Sequence, residues 1–492
     1  MSFLIAIGSP ALAAYSLHIT HLNRYWIAGT FLDVEYPNSK RIPTVLAAFH
    51  HIPIKMEYSP PFLHSLIVLP KNDEFWSRLA AANKTRRWSI PLVMSYTLTI
   101  FSLVLTIVDA AVTQRGSTGY GIAATWTFLF PLTIGWLHTG CEPEPSHLRK
   151  SLASANRAAW IATNQRDCPV KMTMPKAIEF AGTDDVDLAR KDELRPVPVF
   201  NYSRAFTTPA NAEVFLRLMK NASANAKRTI SVSGSTSEGT LSAWVESEGD
   251  EIPSEDRVGT AAEVVEYCTR VLQPSKEDLG FATPLETQSL ESTKITNRLL
   301  DDGLVTPSRW APGVWKRVVI SSILALGLQW ATAGAAVFIH YIPPPVGLGC
   351  RAFSFLMYGV MGTLSFFLFL ASSILAHMSR PLHRQVPTRS WSRTCQNVGA
   401  IICRWLGKCV AIASGIGILV VCFFHVAGVL DNCYCRSTTL NMGRGPVTLY
   451  SMRQISDPRV LSLWFIGLAV PFVASIVFGF SMYMTLPPRR YE

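Results

Sequence analysis

Long apolar runs, separated by polar segments, divide this chain along its whole length. Each run holds about 17 to 27 residues and contains no Asp, Glu, Lys or Arg. A helix rises about 1.5 Å per residue and the hydrocarbon core of a bilayer is about 30 Å thick, so such runs can cross it. The pattern predicts seven transmembrane helices, of which the first is the shortest, at 2–18, 90–108, 120–137, 318–339, 352–376, 409–430 and 460–486.

A transmembrane β-barrel would instead need segments of about ten residues in which apolar and polar side chains alternate. The stretches FSLVLTIV (101–108) and VVCFFHVAGVL (420–430) show no alternation. We therefore expect an all-α membrane protein of about seven transmembrane helices. A large, partly disordered cytosolic insertion lies between the third helix and the fourth.

Basic residues are unevenly distributed between alternate loops. Lys and Arg number 9, 6 and 2 in residues 19–89, 377–408 and 487–492, but 1, 1 and 4 in 112–119, 340–351 and 431–459. Because cytoplasmic loops carry excess basic charge, the first set is assigned to the cytosol. The N-terminus then lies outside and the C-terminus in the cytosol. Long runs such as 460–486 favour the thicker plasma membrane over endomembranes.

This map divides the chain into six parts: an N-terminal anchor (1–18), a cytosolic segment (19–89), helices 2 and 3 (90–137), a second cytosolic segment (138–317), helices 4 to 7 (318–486) and a cytosolic tail (487–492). The first run could instead be a signal peptide with a small-residue site at 11–13, or an interfacial segment. It lacks a basic leading region, and cleavage would invert every later loop against the charge distribution. We therefore prefer an anchor.

Helical signals predominate in the long cytosolic segment. Thr260 and Glu263 form a capping box before an apolar stripe, and Thr208-Pro209 begins another helix. Residues 148–164 predict either an interfacial helix or an ordinary packed one. Residues 229–258 are rich in Ser, Thr, Glu and Gly and are expected to be disordered. A cytosolic protein partner would bind within 138–317, the lipid bilayer is the other expected partner, and no nucleic acid is expected.

Three aspartates, Asp184, Asp185 and Asp187, are the weak candidates for a metal site, because carboxylates bind Mg²⁺ and through it a diphosphate. The favoured alternative is that these residues are solvated or cap a helix. The sequence contains no Walker loop, nucleophile elbow, HExxH, zinc-finger spacing or dinucleotide fingerprint. We therefore expect no catalytic residue and no cofactor.

Cysteines are the candidate chemistry of the outer loops. Cys433 and Cys435 share one outer loop, and Cys350 lies in the preceding one. Because the exterior is oxidising, a disulfide between Cys350 and one of the pair is expected, with free thiols as the main alternative. A metal site that also uses His340 and His425 is a third alternative, which would need four converging ligands.

Three N-glycosylation sequons begin at Asn83, Asn201 and Asn221. All of them lie in segments assigned to the cytosol, where no oligosaccharide is added. We therefore expect these sequons to be unused. A glycan on any of them would reverse the predicted orientation.

The apolar runs carry few polar groups. No carboxylate or base lies in the middle of a run, which argues against ion-coupled transport. Gln329 is at the midpoint of the fourth run, where its amide should find a partner on another helix rather than a substrate. Small residues favour close helix packing at 331–335, 359–362 and 411–417.

Several stretches resemble a family of uncharacterised multi-pass membrane proteins of filamentous fungi. They are GSPALAAYSLHITHLNRYW (8–26), SLIVLPKNDEFW (65–76), the segment from FAGTDD to FNYSRAF (180–206) and VGLGCRAFSFLMYGVMGTLSFFLFLASSILAH (346–377). The resemblance implies a fungal integral membrane protein with a large cytosolic insertion. It implies no activity and no catalytic residue.

These features favour a membrane protein without a catalytic site that organises or senses through its cytosolic segments. One alternative is a transporter or channel for an uncharged or amphipathic metabolite, which needs no charge inside the bilayer. The other is a membrane-embedded biosynthetic enzyme of fungal secondary metabolism that uses the three aspartates. The chain is thus expected not to be an enzyme.

Overall fold

The structure is a computed structural model. It describes residues 1–34, 36–48, 50, 54–56, 62–81, 116–138, 145–163, 170–171, 178–180, 188–195, 197–232, 261–269, 310–342, 348–380, 391–427, 429–435, 442–448 and 458–485, with single helical positions at 97, 100, 104 and 108.

Helices make up most of the described residues. In chain order they are α1 Ser2–Gly8, α2 Pro10–Phe31, α3 Ile42–Ala48, α4 Phe62–Val68, α5 Asp73–Ala81, α6 Gly116–Trp126, α7 Leu129–His138, α8 Pro145–Ala158, α9 Thr207–Val232, α10 Ala261–Thr269, α11 Val314–Tyr341, α12 Cys350–Met378, α13 Trp391–Val426 and α14 Pro458–Met484. Short 3₁₀ helices occur at Pro37–Lys40, Pro70–Asn72, Leu188–Leu194, Pro198–Arg204 and Val429–Asp431.

Three short antiparallel strand pairs accompany the helices. Strand β1 (Ile54–Met56) pairs with β4 (Ile178–Phe180), and β2 (Trp160–Ile161) pairs with β3 (Val170–Lys171). Strand β5 (Asn432–Cys435) pairs with β6 (Met442–Thr448), with a register shift between Cys433 and Cys435. The all-α expectation is therefore confirmed in its coarse form, as a mostly helical fold, but with small strand pairs in the segments between helices.

Within the described part of the chain, four helices are long and apolar enough to cross a membrane, namely α11, α12, α13 and residues Ser462–Met484 of α14. The bent pair α1 and α2 would be a fifth if it forms one span. Their outer faces expose large apolar side chains such as Ile323, Phe423 and Ile476, each more than 60% exposed. Their inner faces bury small or aromatic residues. Exposed apolar faces of this extent suit lipid better than water, so these helices are compatible with a multi-pass membrane protein.

The structure differs from the seven predicted runs in three places. The first run is two helices, α1 and α2, bent by 101° at Ser9, and α2 continues to Phe31 instead of ending at His18. The third run is interrupted between Trp126 and Leu129. The sixth helix begins at Trp391, well before the predicted start. The second run, 90–108, lies outside the described residues except for four single positions.

Two bodies share helix α2. The bundle surrounds its first half and consists of α1, α6, α7 and α11–α14, with Tyr15, Leu328 and Phe366 in its core. The lobe packs against its second half and consists of α3, α4, α5, α8, α9 and α10, with Phe31, Trp76 and Phe215 in its core. Side chains of α2 thus belong to the hydrophobic cores of both bodies.

Candidate functional site

The bend between α1 and α2 leaves backbone groups without helical partners inside the bundle. Pro10 has no N–H, so the amide of Ala11 is the first such donor, and it donates to Oε1 of Gln329 at 3.0 Å. Nε2 of Gln329 donates to Gly359 O at 2.9 Å and to Thr363 Oγ1 at 2.8 Å. The Ser9 hydroxyl donates to the carbonyl of Gly362 at 3.0 Å. Gln329 therefore caps a bent helix, and both ends of its amide are bonded to protein.

Helix α1 lies in close backbone contact with α13. A Cβ atom on Gly8 would lie 1.7 Å from the carbonyl oxygen of Ala411, and one on Gly415 would lie 2.6 Å from Leu4 O. Of the small residues that the sequence suggested for helix packing, Ala411 and Gly415 make this contact, whereas Gly417 has nothing within 4 Å of its Cβ position. The bend is thus held on one side by a polar cap and on the other by glycine.

Discontinuous helices often line substrate sites in transporters, because their free ends bind ions. Here the amide of Ala11 and the hydroxyl of Ser9 both bond to neighbouring helices, at Gln329 and Gly362. The bend therefore has the chemistry expected of a contact that packs helices together.

A second polar cluster lies where the lobe meets the bundle. We term it the junction, and its members are Thr20, Asn23, His50, Asp192, Glu193, Asn201, Tyr202, Arg204, Arg317, Arg380, Arg404 and Lys408. Its centre is the pair of 3₁₀ helices Leu188–Leu194 and Pro198–Arg204. These pack between α2, α12 and α13.

Asp192 binds both the segment it belongs to and the bundle. Its Oδ2 accepts the Tyr202 hydroxyl at 2.7 Å, and its Oδ1 lies 2.5 Å from Lys408 Nζ. The side chains of Asp192 and Lys408 are only 3% and 8% exposed. One turn earlier on α13, Arg404 donates to the carbonyl of Ala189 at 2.9 Å. A buried charge is stable only when it is paired in this way, so Lys408 depends on Asp192.

The neighbouring Glu193 makes a parallel contact at the end of α12. Nη2 of Arg380 lies 2.8 Å and 2.6 Å from the two oxygens of the Glu193 carboxylate. These side chains are about one-fifth exposed, so this pair is partly screened by water. Two successive acids of one 3₁₀ helix thereby fix that helix to α13 and to the end of α12.

Arg204 organises the side of the junction that faces the lobe. Its Nε donates to His50 O at 2.8 Å, its Nη2 to Asn201 Oδ1 at 2.8 Å and its Nη1 to Arg195 O at 3.0 Å. Asn201 in turn donates to Thr20 Oγ1 on α2 at 3.1 Å. The guanidinium thus bonds within its own segment, at Asn201 and Arg195, and to His50, which is 154 residues away in sequence.

Asn23 and Arg317 complete the connection to α11. Nε of Arg317 donates to Asn23 Oδ1 at 2.9 Å, and its guanidinium carbon lies 4.4 Å from the centre of the Trp26 ring. Nδ2 of Asn23 lies 3.1 Å from Nε2 of His50 and 3.2 Å from the carbonyl of Ala205. Helix α2 is therefore bound to the lobe, the 3₁₀ segment and α11 by one residue.

The protonation states of the junction do not suit acid–base catalysis at neutral pH. Burial lowers the pKa of His50 to about 3, and the positive charge of Arg204 contributes to that shift. Burial raises the pKa of the Tyr202 hydroxyl well above its usual value, and the Asp192 carboxylate raises it further. Burial lowers the pKa of Arg204 to about 10, so it stays protonated at neutral pH. An efficient general base or acid has a pKa near the working pH, so these groups fit a structural role better.

The junction was not among the sites that the sequence suggested. Asp184, Asp185 and Asp187 lie outside the described residues, as does Asn83. Among the described residues, no group of three His, Cys, Asp or Glu is placed to hold a metal ion. One feature of the sequence could have indicated the junction. Arg404 and Lys408 lie four residues apart before an apolar run, but their charges were attributed to the cytosolic side of the membrane.

The remaining predicted residues belong to several elements of the fold. Cys350 begins α12 and is half-buried, while Cys433 and Cys435 belong to strand β5. Asn201 is 1% exposed within the junction, and Asn221 donates to the carbonyl of Cys268 in the lobe at 2.9 Å.

Comparison of the chain with protein-family models, with curated proteins and with solved structures finds no match. The resemblance to fungal membrane proteins therefore stays an expectation from the sequence.

Proposed function

We propose that this chain is a non-catalytic membrane protein that organises or senses, and that its lobe and bundle respond as one coupled unit. The buried ion pair between Asp192 and Lys408 carries this proposal. Removing one partner of such a pair costs about 3–5 kcal/mol, because the other charge stays buried without compensation. If the lobe moved so as to draw Asp192 away from Lys408, α13 would therefore either resist that movement or move with it.

The position of the lobe agrees with this role. The proposed binding segment, 138–317, supplies α8, α9 and α10 of the lobe together with both junction 3₁₀ helices. A cytosolic protein that binds the lobe would act on a surface linked to α2, α11, α12 and α13 through the junction. Effects at a distance need an element with two arrangements that both sites bias, and α2 is the proposed element because it belongs to both cores.

We propose the full topology on the same basis. The lobe lies in the cytosol with the C-terminus, the N-terminus lies outside, residues 90–108 add a further span, and the plasma membrane is the expected location. The distribution of Lys and Arg supports this arrangement. It also leads to a disulfide from Cys350 to Cys433 or Cys435, and to sequons without glycans. Burial of Asn201 supports the last point, because a glycan there would need the space that Thr20 and Arg204 occupy.

Hydrogen exchange of the full chain in lipid nanodiscs tests the coupling. In Lys408→Met, amide exchange should become faster both in residues 188–204 and in α2, because release of Asp192 loosens the contact between them. Lys316→Met, which changes an exposed lysine at the same side of the bundle, should leave both segments unchanged. Faster exchange restricted to 188–195 would contradict coupling.

Transport is the competing function, and flux assays distinguish it. Liposomes containing the full chain should show no faster entry of neutral or amphipathic solutes than liposomes without protein. Saturable uptake of such a solute would overturn the proposal in favour of the transporter alternative. Loss of a measured activity in a triple Asp→Ala variant of residues 184, 185 and 187 would favour the enzyme.

A further inference from the structure

Helix α11 begins with an uncapped end. Gly313 occupies its N-cap position with φ 65°, in the left-handed region, and no side chain accepts a hydrogen bond there. The amide of Arg317 donates to Gly313 O, whereas the amides of Trp315 and Lys316, just before it, have no acceptor among the described residues. Gly313 is exposed, so this end is open to its surroundings. Two free amides and the positive end of the helix dipole favour an anion at this position.

Arg317 places a buried positive charge against the same turn. Its Nη1 donates to Pro312 O at 3.1 Å, and a Cβ atom on Gly313 would lie 3.7 Å from this nitrogen. Its Nε donates to Asn23, and the ring of Trp26 lies against the guanidinium. The residue is 7% exposed, and Nη2 has no hydrogen-bond partner within the described part of the chain. The groups that bond to or stack on this guanidinium are therefore neutral.

Two other cations at this end of the bundle have acidic partners. Lys408 is paired with Asp192, and Arg380 with Glu193. No acid among the residues that the structure describes forms an ion pair with Arg317. Arginine stays protonated at any pH that a protein meets, and a buried charge needs a compensating one. The charges at the start of α11 therefore call for an anion that the described chain does not supply.

Apolar side chains continue from this end along the outer face of α11. Trp315 is 44%, Val319 52% and Ile323 64% exposed, and their spacing of four residues places them on one face of the helix. The ring centre of Trp315 lies 4.9 Å from that of Trp310. Tryptophan at the start of an apolar helix is typical of the headgroup level of a bilayer. A molecule with an acidic head at the helix end and hydrocarbon chains along this face would contact both parts.

We propose that the N-terminus of α11 binds the phosphate of an anionic phospholipid. The phosphate oxygens accept hydrogen bonds from the amides of Trp315 and Lys316, and one acyl chain lies along Val319 and Ile323. The charge of Arg317 acts across the first turn, since Nη2 itself is buried. A headgroup without a cation, as in phosphatidic acid, fits better than that of phosphatidylcholine, because choline would bring a second positive charge towards the guanidinium.

The proposal depends on the proposed function in one respect, the sidedness of the chain. Anionic lipids are concentrated in the cytoplasmic leaflet, which is where the proposed topology puts the start of α11. Binding by the protein in detergent does not depend on sidedness, so it tests the site separately. Free phosphate shares the chemistry of the headgroup but has no acyl chain to contact Val319 and Ile323, so it should bind far more weakly.

Native mass spectrometry of the full chain in detergent measures this binding, with dioleoyl phosphatidic acid and dioleoyl phosphatidylcholine as the two lipids. We expect phosphatidic acid to bind about tenfold more tightly than phosphatidylcholine. Glycerol 3-phosphate in large excess should not displace it. A phosphatidic acid that carries a diazirine in one acyl chain should crosslink to residues 315–327 of α11 after illumination.

Two substitutions at Gly313 test the role of charge. Gly313→Asp would place a carboxylate at the N-cap, where it accepts the free amides and offsets Arg317, so the affinity for phosphatidic acid should fall by about tenfold. Gly313→Asn fills the same space without a charge and should lower the affinity clearly less. Both side chains are among those that best tolerate the left-handed conformation.

Arg317→Gln should reduce the preference for phosphatidic acid over phosphatidylcholine, because it removes the charge that distinguishes the two lipids. If that variant does not fold, the two Gly313 variants decide. Lys40→Gln is the control, because it removes an exposed charge elsewhere in the chain, and it should bind phosphatidic acid as the wild type does. Equal binding of the two lipids by the wild type, equal losses in the two Gly313 variants, or crosslinks confined to other helices would overturn the proposal.

Discussion

The backbone amide of Ala11 donates to the side chain of Gln329 at 3.0 Å, and this bond joins a bent helix to the centre of α11. Inside a bundle no water is available to satisfy the first amides of a helix. Gln329 provides an acceptor to Ala11 and a donor to Gly359 and Thr363, so one side chain satisfies groups on two helices. The bend at Ser9 depends on this residue.

Gln329→Leu should therefore destabilise the folded bundle. The change removes the acceptor for Ala11 and the donor to Gly359 O, and leaves buried groups unpaired at a cost of about 1–3 kcal/mol. Unfolding in mixed SDS micelles measures the effect. Gln396→Leu is the control, because Gln396 on α13 only approaches Ser392 at 3.4 Å in an exposed contact. Equal stability of the two variants would show that Gln329 does not support the bend.

Gly8→Ala should also destabilise the protein. The added Cβ would lie 1.7 Å from the backbone oxygen of Ala411, and backbone cannot rotate away as a side chain can. We expect a loss of at least about 1–3 kcal/mol in the free energy of unfolding. Gly29→Ala, further along the same polypeptide in α2, is the control, since nothing lies within 4 Å of its Cβ position. That variant should gain about 0.4–1 kcal/mol, and a loss similar to that of Gly8→Ala would disprove the packing argument.

The ion pair between Lys408 and Asp192 is expected to be strongly coupled. Lys408→Met and Asp192→Asn should each cost about 3–5 kcal/mol of folding free energy, because each leaves the other charge buried and unpaired. The double variant should cost clearly less than the sum of the two. A thermodynamic cycle from the unfolding free energies of the four proteins gives the coupling directly.

Additive effects of the two changes on the free energy of unfolding would mean that the two charges do not interact. Lys316→Met combined with Asp192→Asn is the matched control, because Lys316 is exposed at the start of α11 and should show no coupling to the acid. Tyr202→Phe provides a milder test, since it removes only the hydrogen bond to Oδ2 of Asp192. That change should cost about 0.5–1.5 kcal/mol, or somewhat more because the acceptor is charged.

Sequence patterning predicted the last four apolar helices, but it predicted the ends of the helices poorly. The runs at 318–339 and 352–376 lie within α11 and α12, because twenty uncharged residues have few alternatives to a membrane helix. The rule failed at α13, which begins at Trp391 and includes Arg404 and Lys408. Periodicity could not show that Lys408 pairs with Asp192, since the two residues are 216 positions apart in the sequence.

The bend at Ser9 was hidden for a similar reason. Ser9-Pro10 is compatible with a helix start, but a short apolar run gives no sign of a 101° change of direction inside the bundle. Gln329 was correctly expected to bond to another helix, because an amide in an apolar run needs a partner. That its partners are the amide of Ala11 and groups on α12 depends on tertiary packing, which no local pattern encodes.

Buried histidines of the lobe and junction should make stability fall on acidification. Burial lowers the pKa of His50 to about 3 and that of His64 to about 4, whereas each should titrate near 6.5 in the unfolded chain. Between these values the unfolded state binds a proton that the folded state does not. The free energy of unfolding is therefore unaffected by these groups above about pH 6.5 and decreases as the pH falls below it, by up to about 1.4 kcal/mol per pH unit for each histidine.

Thermal unfolding in detergent between pH 7.5 and pH 5 measures this dependence. His64→Asn should flatten the slope below pH 6.5 by about one proton while leaving the network around Arg204 intact. His50→Asn should flatten the slope by the same amount, and the backbone carbonyl of residue 50 would still accept the hydrogen bond from Arg204. Because Arg204 and Arg24 also act on His50 by their positive charge, its proton affinity in the folded state should rise in Arg204→Met. The decline in stability should still start near pH 6.5, but the part due to His50 should level off at a higher pH than in the wild type. An unchanged slope in both histidine variants would show that neither imidazole stays neutral in the folded protein.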